Sequence, residues 1–500
     1  MTRYLVFGAS GYIGTHLVPL LRSRGATVRA AARRLDSLEA RGWPSEIELI
    51  AADALDTASL PRALENVDVA WYLVHSMASG SEFPRLDRLA AENFRAAAER
   101  AGVKRIIYLG GLQPSGDASA HLASRAETGD ILRAGSIPVT ELRSGIVIGP
   151  GSAAFEIIRD LVYHLPVLLT PRWVRSHSQP IALANVLEYL ARVPEIPETA
   201  GAIYEIGGPE VLTYEQLLRG FAARVGRAPA ILPVPALTPD LSAQWLRLVT
   251  SVPRGVARAL IDGLAHDVLA KDSAIRALIP QRLLTYREAL SAALEQELAQ
   301  DANVARWSEG SMRYRGNRPD FAFYAKQSSG SASTSASAAA IWREVAAIGG
   351  ENGYYFLDGL WRLRGQLDQL AGGTGMRRGR TETTAQALAV GDAIDFWRVA
   401  AIEPGRRLTL IAEMKLPGAA ALEFRIEHAG TGDQRRIIVT AYFHPAGPAG
   451  FVYWTALIPA HALLFDGLAR AIVRRAEAAS APIDSQNQGA AFELPAPPAA

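Results

Sequence analysis

The first part of the chain alternates short apolar runs with longer segments whose apolar residues recur at helical spacing. Runs such as Tyr4–Phe7 and Val69–Val74 are apolar without alternation, which is typical of strands buried on both faces of a sheet. Helical segments such as Tyr12–Arg24 and Leu86–Ala101 lie between the runs. This order predicts an α/β fold with a doubly wound parallel sheet over residues 1–150. Further elements are expected at Thr27–Ala32, Glu48–Ala51, Arg105–Leu109 and Val139–Arg143 (strands) and at Ser59–Glu65 (helix).

The chain changes character after residue 150. Residues 151–320 are irregular and mostly helical, with one strand expected at Ala202–Ile206, and we interpret them as a substrate lobe that completes the first unit. Segment 327–340 is rich in Ser and Ala, which indicates a flexible linker or a weak edge strand. Residues 479–500 are polar and Pro-rich, and we expect a disordered tail there.

Residues 341–478 show strand periodicity followed by a long helical segment. Leu422, Phe424 and Ile426 alternate with charged residues, and a helix is expected near Ala456–Ala476. Such alternation is typical of half-buried antiparallel strands. We therefore predict an α+β domain in which a sheet packs against the closing helix. Further elements are expected at Ile341–Ile348 (helix) and at Asp395–Val399, Leu408–Met414 and Arg436–Phe443 (strands).

Composition narrows the chemistry that the chain can perform. A length of 500 residues exceeds what one core supports, so several domains are expected. The absence of cysteine excludes disulfides, thiolate nucleophiles and Cys-ligated metals. The nine histidines are scattered and form no HExxH motif, so no metal site is predicted. A net charge of +2 gives no electrostatic case for a nucleic-acid partner.

The sequence carries no strong signal for export or for a membrane span. Met1–Phe7 leads directly into a Gly-rich turn without an apolar targeting core. The most membrane-like stretch, Phe451–Leu468, is interrupted by Pro459, His461 and Asp466. We therefore expect a buried amphipathic helix in that stretch and a cytoplasmic location for the protein.

The most informative motif is GASGYIG at Gly8–Gly14, which follows the first predicted strand and opens the first helix. Glycines permit a sharp turn and close approach of the backbone to a pyrophosphate, and a helix N-terminus offers N–H groups and a positive dipole end. The motif predicts a dinucleotide site, with a purely structural turn as the alternative. The residues expected at the cofactor are Gly8, Ser10, Gly11, Tyr12, Ile13 and Gly14.

The GxxGxxG spacing resembles that of extended and atypical short-chain dehydrogenase/reductases, in particular the NmrA-like or YbjT-like NAD(P)H-binding proteins. The resemblance covers residues 1–320 and continues through Arg143–Gly151, Ser178–Ile181 and Ile206–Pro209. It implies a Rossmann-type domain with a small substrate lobe and a small-molecule oxidoreductase activity.

The cofactor expected from this resemblance is NADP(H), in preference to NAD(H). The second strand ends without the acidic residue that holds the ribose 2′-OH in NAD-selective sites. The resemblance places Arg33 at the 2′-phosphate of NADP, which a guanidinium binds bidentately, with two solvated arginines as the alternative. It also places Asp53 at the adenine amino group, where a helix cap is equally compatible, and His75 near the ribose, where a structural role is the alternative.

The catalytic positions are where this chain departs from the resembled family. Family reductases use a Tyr-x-x-x-Lys pair and a serine at the end of strand five. Here His121 and Arg125 occupy the pair, and Leu109–Gly111 ends the strand. A histidine with a pKa of about 6.5 can act as a general acid, whereas a cation one helical turn away lowers that pKa. Catalysis by His121 with Arg125, and little or no catalysis, both stay open.

Residues 325–478 resemble the START-related helix-grip (SRPBCC) superfamily, in which a curved antiparallel sheet wraps a long C-terminal helix around an apolar cavity. Glu351–Tyr355 and Trp361–Arg364 look like this domain as it occurs behind YbjT-like reductases. The resemblance implies an apolar-ligand pocket, with a filled core as the alternative. The residues expected to line the pocket are Tyr354, Trp361, Phe396 and Trp397. A basic loop, either solvated or binding an acidic headgroup, is expected at Arg377, Arg378 and Arg380.

Three functions are compatible with these features. The first is NADPH-dependent reduction of a hydrophobic carbonyl or quinone-like compound, with His121 supplying the proton. The second is a non-catalytic NADP(H)-binding redox sensor or assembly protein, which the missing Tyr, Lys and Ser favour. The third is a carrier of an apolar ligand with a vestigial dinucleotide domain.

Overall fold

The computed structural model divides into two compact units. One comprises residues 1–326 with 444–454, and the other comprises residues 327–443 with 455–500. The structure describes residues 2–39, 41–75, 82–114, 118–234, 250, 252, 266–299, 307–308, 311–312, 325–377, 388–429, 434–445 and 447–479.

Seven strands form the sheet of the first unit. They are β1 (Arg3–Phe7), β2 (Thr27–Ala32), β3 (Glu48–Ala51), β4 (Val69–Tyr72), β5 (Arg105–Gly111), β6 (Val139–Ser144) and β11 (Ile203–Ile206). All pairs are parallel, in the order β11-β6-β5-β4-β1-β2-β3. The order reverses between β1 and β4, and ligands of such sheets bind beside the carboxyl ends of the strands at the reversal.

Helices cover both faces of this sheet and explain its apolar strands. They are α1 (Tyr12–Ser23), α2 (Leu35–Glu39), α3 (Leu60–Leu64), α4 (Phe83–Ala101), α5 (Ala120–Arg133) and α7 (Leu183–Arg192). Every residue of β4 and β5 is buried, as expected of a parallel sheet between two layers. The predicted Rossmann-type α/β architecture is confirmed.

The lobe that follows β6 is mostly helical. Its helices are α6 (Ala153–His164), α8 (Tyr214–Arg224), α9 (Ser273–Leu278) and α10 (Tyr286–Ala299). Its short strands are β7 (Val147–Ile148), β8 (Val167–Thr170), β9 (His177–Ser178), β10 (Ile181–Ala182), β12 (Leu212–Thr213), β13 (Ala230–Pro233), β14 (Trp307–Ser308) and β15 (Ser311–Met312). A separate apolar cluster that includes Phe155, Phe221 and Leu290 holds the lobe together.

The second unit is an α+β domain. Its sheet has the order β16 (Lys326–Thr334), β21 (Arg435–Pro445), β20 (Gly418–His428), β19 (Arg407–Ala412), β18 (Trp397–Glu403) and β17 (Ala393–Ile394). Strands β17 to β20 pair antiparallel. Its helices are α11 (Ala338–Ala346), α12 (Asp358–Leu370) and α13 (Gly447–Ala478), except that residues 447–454 of α13 belong to the first unit. Leu422, Phe424 and Ile426 point into the core, as their alternation predicts.

Three local expectations differ from the observed elements. Segment 327–340 forms an edge strand and the start of α11, so of its two interpretations the strand is observed and the linker is not. Asp395 does not begin a strand, because it has φ +50° in the turn between β17 and β18. The closing helix begins at Gly447, nine residues before the expected start.

Candidate functional site

The glycine-rich loop between β1 and α1 excludes side chains at two positions. Gly8 has φ +93°, and a Cβ there would lie 2.8 Å from the carbonyl oxygen of Leu73. A Cβ at Gly14 would lie 2.5 Å from the carbonyl oxygen of Gly8. Gly11 precedes the first turn of α1 and provides no side-chain cap for its N–H groups. The loop therefore fits a dinucleotide pyrophosphate at the N-terminus of a helix.

A cavity of about 460 Å³ lies beside this loop, at the carboxyl ends of β4, β5 and β6. This volume lies within the usual range of small-molecule sites, about 300–1,000 Å³. The predicted site residues that line it are Gly11, Tyr12, Ile13, Gly14, His75, His121 and Arg125. The apolar part of its wall includes Leu112, Ile146, Val147, Tyr214 and Val268. The structure thus brings the predicted cofactor loop and the predicted catalytic pair to one cavity.

Four predicted residues lie outside the lining of the cavity: Gly8, Ser10, Arg33 and Asp53. Arg33 is exposed directly after β2. One carboxylate oxygen of Asp53 accepts a hydrogen bond from the backbone N–H of Leu55 at 2.9 Å. Such local turn bonding is the structural alternative for this residue, and the adenine contact stays a prediction.

Arg41 is a candidate cofactor residue that sequence reasoning missed. Its Nη2 donates a hydrogen bond of 2.7 Å to the carbonyl oxygen of Ser10, which holds the guanidinium against the glycine-rich loop. Arg41 lies two residues after α2 and belongs to no motif, so the sequence contains no signal for this contact.

A chain of three side chains leads into the cavity from α4. Asp87 is 4% exposed, and its Oδ2 accepts from His75 Nδ1 at 2.7 Å and from Ser124 Oγ at 3.1 Å. Nε2 of His75 lies 2.9 Å from Nδ1 of His121. Sequence reasoning identified both histidines but not Asp87. Asp87 lies 12 positions from His75 along the chain, and His121 lies 46 positions from His75, so the three side chains meet only in the fold.

The carboxylate fixes the direction of the hydrogen bonds along this chain. An ionised carboxylate only accepts, so Nδ1 of His75 carries the proton. In a neutral His75, Nε2 then accepts from Nδ1–H of His121, and Nε2 of His121 is left as an acceptor. We name these three residues the Asp87–His75–His121 chain.

The fold favours the neutral form of both histidines of the chain. Burial and, after it, the nearby charge of Arg125 lower the pKa of His121 to about 3. Burial also lowers the pKa of His75, whereas its hydrogen bond to Asp87 acts in the opposite direction. An added proton is therefore held more easily at His75, next to the carboxylate, than at His121, next to the guanidinium.

Arg125 occupies the space next to the end of β5. Its Nη2 donates to the carbonyl oxygen of Leu109. A Cβ on Gly111 would lie 3.1 Å from a methyl carbon of Leu122 and 3.5 Å from Cδ of Arg125. The site thus has an arginine packed beside a glycine in the region where the resembled reductases have a serine.

In the second unit, the four residues predicted to line a pocket form an aromatic cluster. The ring centroids of Tyr354 and Trp361 are 4.6 Å apart, and those of Phe396 and Trp397 are 5.2 Å apart. Tyr354 and Phe396 are fully buried. Their packing favours the filled-core interpretation. The side chains of the predicted basic loop, Arg377, Arg378 and Arg380, lie outside the described residues.

Two further features concern metals and membranes. Within the described ranges, no group of three or more His, Asp or Glu residues is placed to hold a metal ion. In the same ranges, α13 is the one helix long and apolar enough to cross a membrane, with a mean hydropathy of 1.5 over 18 residues. Length and hydropathy alone are weak evidence, because the core helix of a soluble domain meets the same criteria.

Two family models match this chain. Residues 8–142 match the family described as NAD(P)H-binding. Residues 322–468 match a family described as a protein of unknown function, DUF2867.

Two curated proteins are similar to part of this chain. Subunit 9 of the NADH dehydrogenase [ubiquinone] 1 alpha subcomplex, mitochondrial, from Dictyostelium discoideum is 28% identical over 223 residues, which cover 43% of this chain and 61% of that protein. A ceramide reductase from Caulobacter vibrioides is 26% identical over 238 residues, which cover 46% of this chain and 73% of that protein. This chain thus spans less than two thirds of the first of these relatives.

Solved structures with a similar fold include an NADPH-dependent quinone oxidoreductase from Escherichia coli bound to NADPH (TM-score 0.49, 22% identity), which covers 58% of this chain and 99% of that one. A Citrobacter triphenylmethane reductase bound to NADP(H) has a TM-score of 0.49, 18% identity and the same coverage. The glycine-rich loop, the parallel sheet and the match of residues 8–142 lead to one conclusion: the first unit carries an oxidoreductase-like NAD(P)H-binding domain, and an α+β region of the DUF2867 type follows it.

Proposed function

We propose that this protein is an NADPH-dependent reductase of a carbonyl or quinone-like group in a hydrophobic molecule. The observation that carries the proposal is the Asp87–His75–His121 chain, which ends at a largely apolar cavity beside the glycine-rich loop. A reductase needs a proton donor beside the nicotinamide site, and this chain can store and deliver one proton.

The reduced nicotinamide, when bound, supplies a hydride to the substrate carbon, and the substrate oxygen then requires a proton. In the loaded state His75 is an imidazolium paired with Asp87, and it donates from Nε2 to Nδ1 of His121. Nε2–H of His121 then faces the cavity. His121 releases this proton to the substrate oxygen while Nδ1 takes the proton of His75, and the chain returns to its neutral state.

The preference for NADPH over NADH is supported by two arginines near the loop. Arg33 follows β2, where no acidic residue competes for the ribose 2′-OH. The contact of Arg41 with Ser10 keeps a second guanidinium beside the loop. Two guanidinium groups would favour the additional 2′-phosphate of NADPH.

The names of the relatives are compatible with a hydrophobic substrate. Ceramide reductase is named for a lipid, and the NADPH-bound solved structure is named for quinones. The apolar wall formed by residues such as Ile146, Val147 and Val268 suits a substrate of this class.

A second candidate function is an NADP(H)-binding redox sensor or assembly protein without catalysis. It is favoured by the side chains that replace the tyrosine, lysine and serine of the resembled family, namely His121, Arg125 and the glycines after Leu109. Such a protein would bind the cofactor in the same cavity but would not turn over.

For the second unit we propose a helix-grip arrangement. Its antiparallel strands share one core with the second half of α13, including Leu468 and Ile472. The aromatic cluster argues for a core without a large ligand cavity.

The test is NADPH oxidation with a panel of hydrophobic aldehydes, ketones and quinones, followed by the absorbance of NADPH. For at least one compound we expect turnover, and His121→Phe should lower it about 10²–10⁴-fold while NADPH still binds. His428→Phe, a change at an exposed histidine of the second unit, serves as the matched control and should leave turnover unchanged.

Two outcomes contradict the reductase. If no compound supports NADPH oxidation although NADPH binds, the sensor replaces it. If His121→Phe turns over at the wild-type rate, the proton comes from another group.

A further inference from the structure

Helix α12 of the second unit presents a row of leucines to the surface. Leu360, Leu363, Leu367 and Leu370 follow one another at spacings of three, four and three residues, which places them on one side of the helix. Between 48% and 85% of each leucine is exposed. The other side of α12 packs into the unit through Trp361, Gly365 and Asp368. The leucine row therefore lies on the side of α12 that does not pack into the core of the second unit.

Helix α13 is free of charged side chains up to residue 465 and carries charged side chains after it. Residues 458, 462, 466, 470 and 474 are all exposed and lie four apart, so successive members are neighbours in a row that winds slowly around the helix. The first two are Ile and Ala, and the last three are Asp, Arg and Arg. The exposed positions of this row are thus apolar at 458 and 462 and charged from 466 onward.

The two helices adjoin each other. A Cβ on Gly467 of α13 would overlap the ring of Phe356, just before α12. Burial and, after it, the charge of Arg364 lower the pKa of His461 to about 4, which indicates that Arg364 of α12 lies near α13. We define the apolar face by Leu360, Leu363, Leu367 and Leu370 of α12.

Arginines flank the leucine row on both sides. Arg362 and Arg364 precede and follow Leu363, and helical geometry places them on opposite flanks of the row. Arg362 is 70% exposed and forms an ion pair with Asp358 at 2.7 Å, which contributes little to stability in water. An apolar row between two arginines is typical of helices that lie at a membrane surface, because the long side chains reach the headgroups while the leucines enter the acyl region.

We propose that the apolar face of the second unit lies on the surface of an anionic lipid bilayer. Helix α12 is about 20 Å long, which is marginal for a coiled-coil seam with a second chain. Helix α12 lies on the bilayer, and α13 does not cross it. Leu468, Ala469 and Ile472 of α13 are fully buried in the core and are not available to lipid.

The experiment is flotation of the full-length protein with vesicles of equal parts phosphatidylcholine and phosphatidylglycerol, and with vesicles of phosphatidylcholine alone. The wild type should float with the anionic vesicles and less with the neutral ones. Leu363→Gln with Leu367→Gln should lower the bound fraction about tenfold or more. Arg362→Gln with Arg364→Gln should remove the preference for anionic vesicles. Leu55→Gln with Leu89→Gln alters two comparably exposed leucines of the first unit and should bind as the wild type does.

The other possible occupants of the apolar face would give different results in these experiments. A wild-type protein that does not bind either vesicle overturns the proposal, as does binding that the leucine variant retains. Sedimentation velocity without lipid detects a second copy of the chain bound at the apolar face. A wild-type dimer that is lost in the leucine variant, but kept in the control variant, would overturn the bilayer assignment. NADPH oxidation with a water-soluble substrate should be equal in the wild type and the leucine variant, which separates this inference from the proposed reductase.

Discussion

The buried carboxylate of Asp87 determines which nitrogen of each neighbouring histidine carries a proton. It accepts from His75 Nδ1, and that bond sets the orientation in which His75 meets His121. Asp87 does not line the cavity itself, so we regard it as a positioning residue. An amide at this position could also donate a hydrogen bond and would no longer fix one tautomer.

We therefore expect Asp87→Asn to lower the turnover of a ketone about 10–100-fold, as is typical when an orienting partner is lost. The affinity for NADPH should not change, and the pH dependence of kcat/KM should shift, because His75 loses its anionic partner. Asp130→Asn, on the exposed side of α5, is the matched control. Unchanged kinetics of Asp87→Asn would remove Asp87 from the proposed chain.

Cofactor selection is a second property of single residues. NADPH should bind at least about tenfold more tightly than NADH, which corresponds to about 1.4 kcal/mol. Arg33→Ala and Arg41→Ala should each reduce that preference, with little effect on NADH, because in the proposed complex both changes remove a cation near the 2′-phosphate. Titration of tryptophan fluorescence measures these affinities, and Arg100→Ala at the exposed end of α4 is the control. Equal wild-type affinities for both cofactors would refute the assignment.

At the scale of elements, the turn from β1 into α1 is the most constrained part of the site. Gly14 lies in the first turns of α1, and an added methyl group there would meet backbone atoms of Gly8 and Ala9 within 3 Å. Gly14→Ala should lower the free energy of unfolding of the first unit by about 1–3 kcal/mol and weaken NADPH binding.

Gly359, unlike Gly14, has room for an added methyl group. It lies in α12, and an added Cβ would meet no atom within 4 Å. Gly359→Ala should therefore increase stability slightly, by about 0.5–1 kcal/mol, because alanine loses less backbone entropy on folding. Chemical denaturation monitored by circular dichroism compares the two variants, and a Gly14→Ala protein as stable as wild type would contradict the packing described for the loop.

Elements whose apolar residues follow a simple period could be predicted from the sequence. The strands of the first sheet are examples, since their burial on both faces leaves continuous apolar runs. Strand β16 could not be recognised in the same way. At Gly330 the backbone of α13 passes so close that a Cβ would lie 2.1 Å from the amide nitrogen of Asp466. This close approach requires glycine at that position. The many Ser and Ala residues around it make the strand resemble a low-complexity segment.

Some residues of the site could be predicted from sequence motifs, and others could be found only in the fold. The glycine-rich loop, His75 and His121 could be located because they follow strands or occupy motif positions along the chain. Asp87 and Arg41 could not, because their roles depend on α4 and on the segment after α2 packing near residues distant in sequence. The downward shift in the pKa of His121 also requires the fold, since burial is its largest cause.

At the scale of the whole molecule, the chain joins an NAD(P)H-binding domain to an α+β region that matches a family without an assigned function. The chemistry proposed for the first unit and the membrane contact proposed for the second rest on different residues. They can therefore be tested separately.

The most direct test of the reductase is the pH dependence of NADPH oxidation in a single turnover with a hydrophobic ketone. In the proposed reductase the proton donor is the protonated state of the Asp87–His75–His121 chain, and the pKa of both histidines is lowered below about 6.5. We predict that the rate falls as pH rises, by about tenfold per pH unit above these pKa values, and that His121→Phe abolishes this dependence. A wild-type rate independent of pH between about 5 and 8, or the same dependence in His121→Phe, would contradict the account.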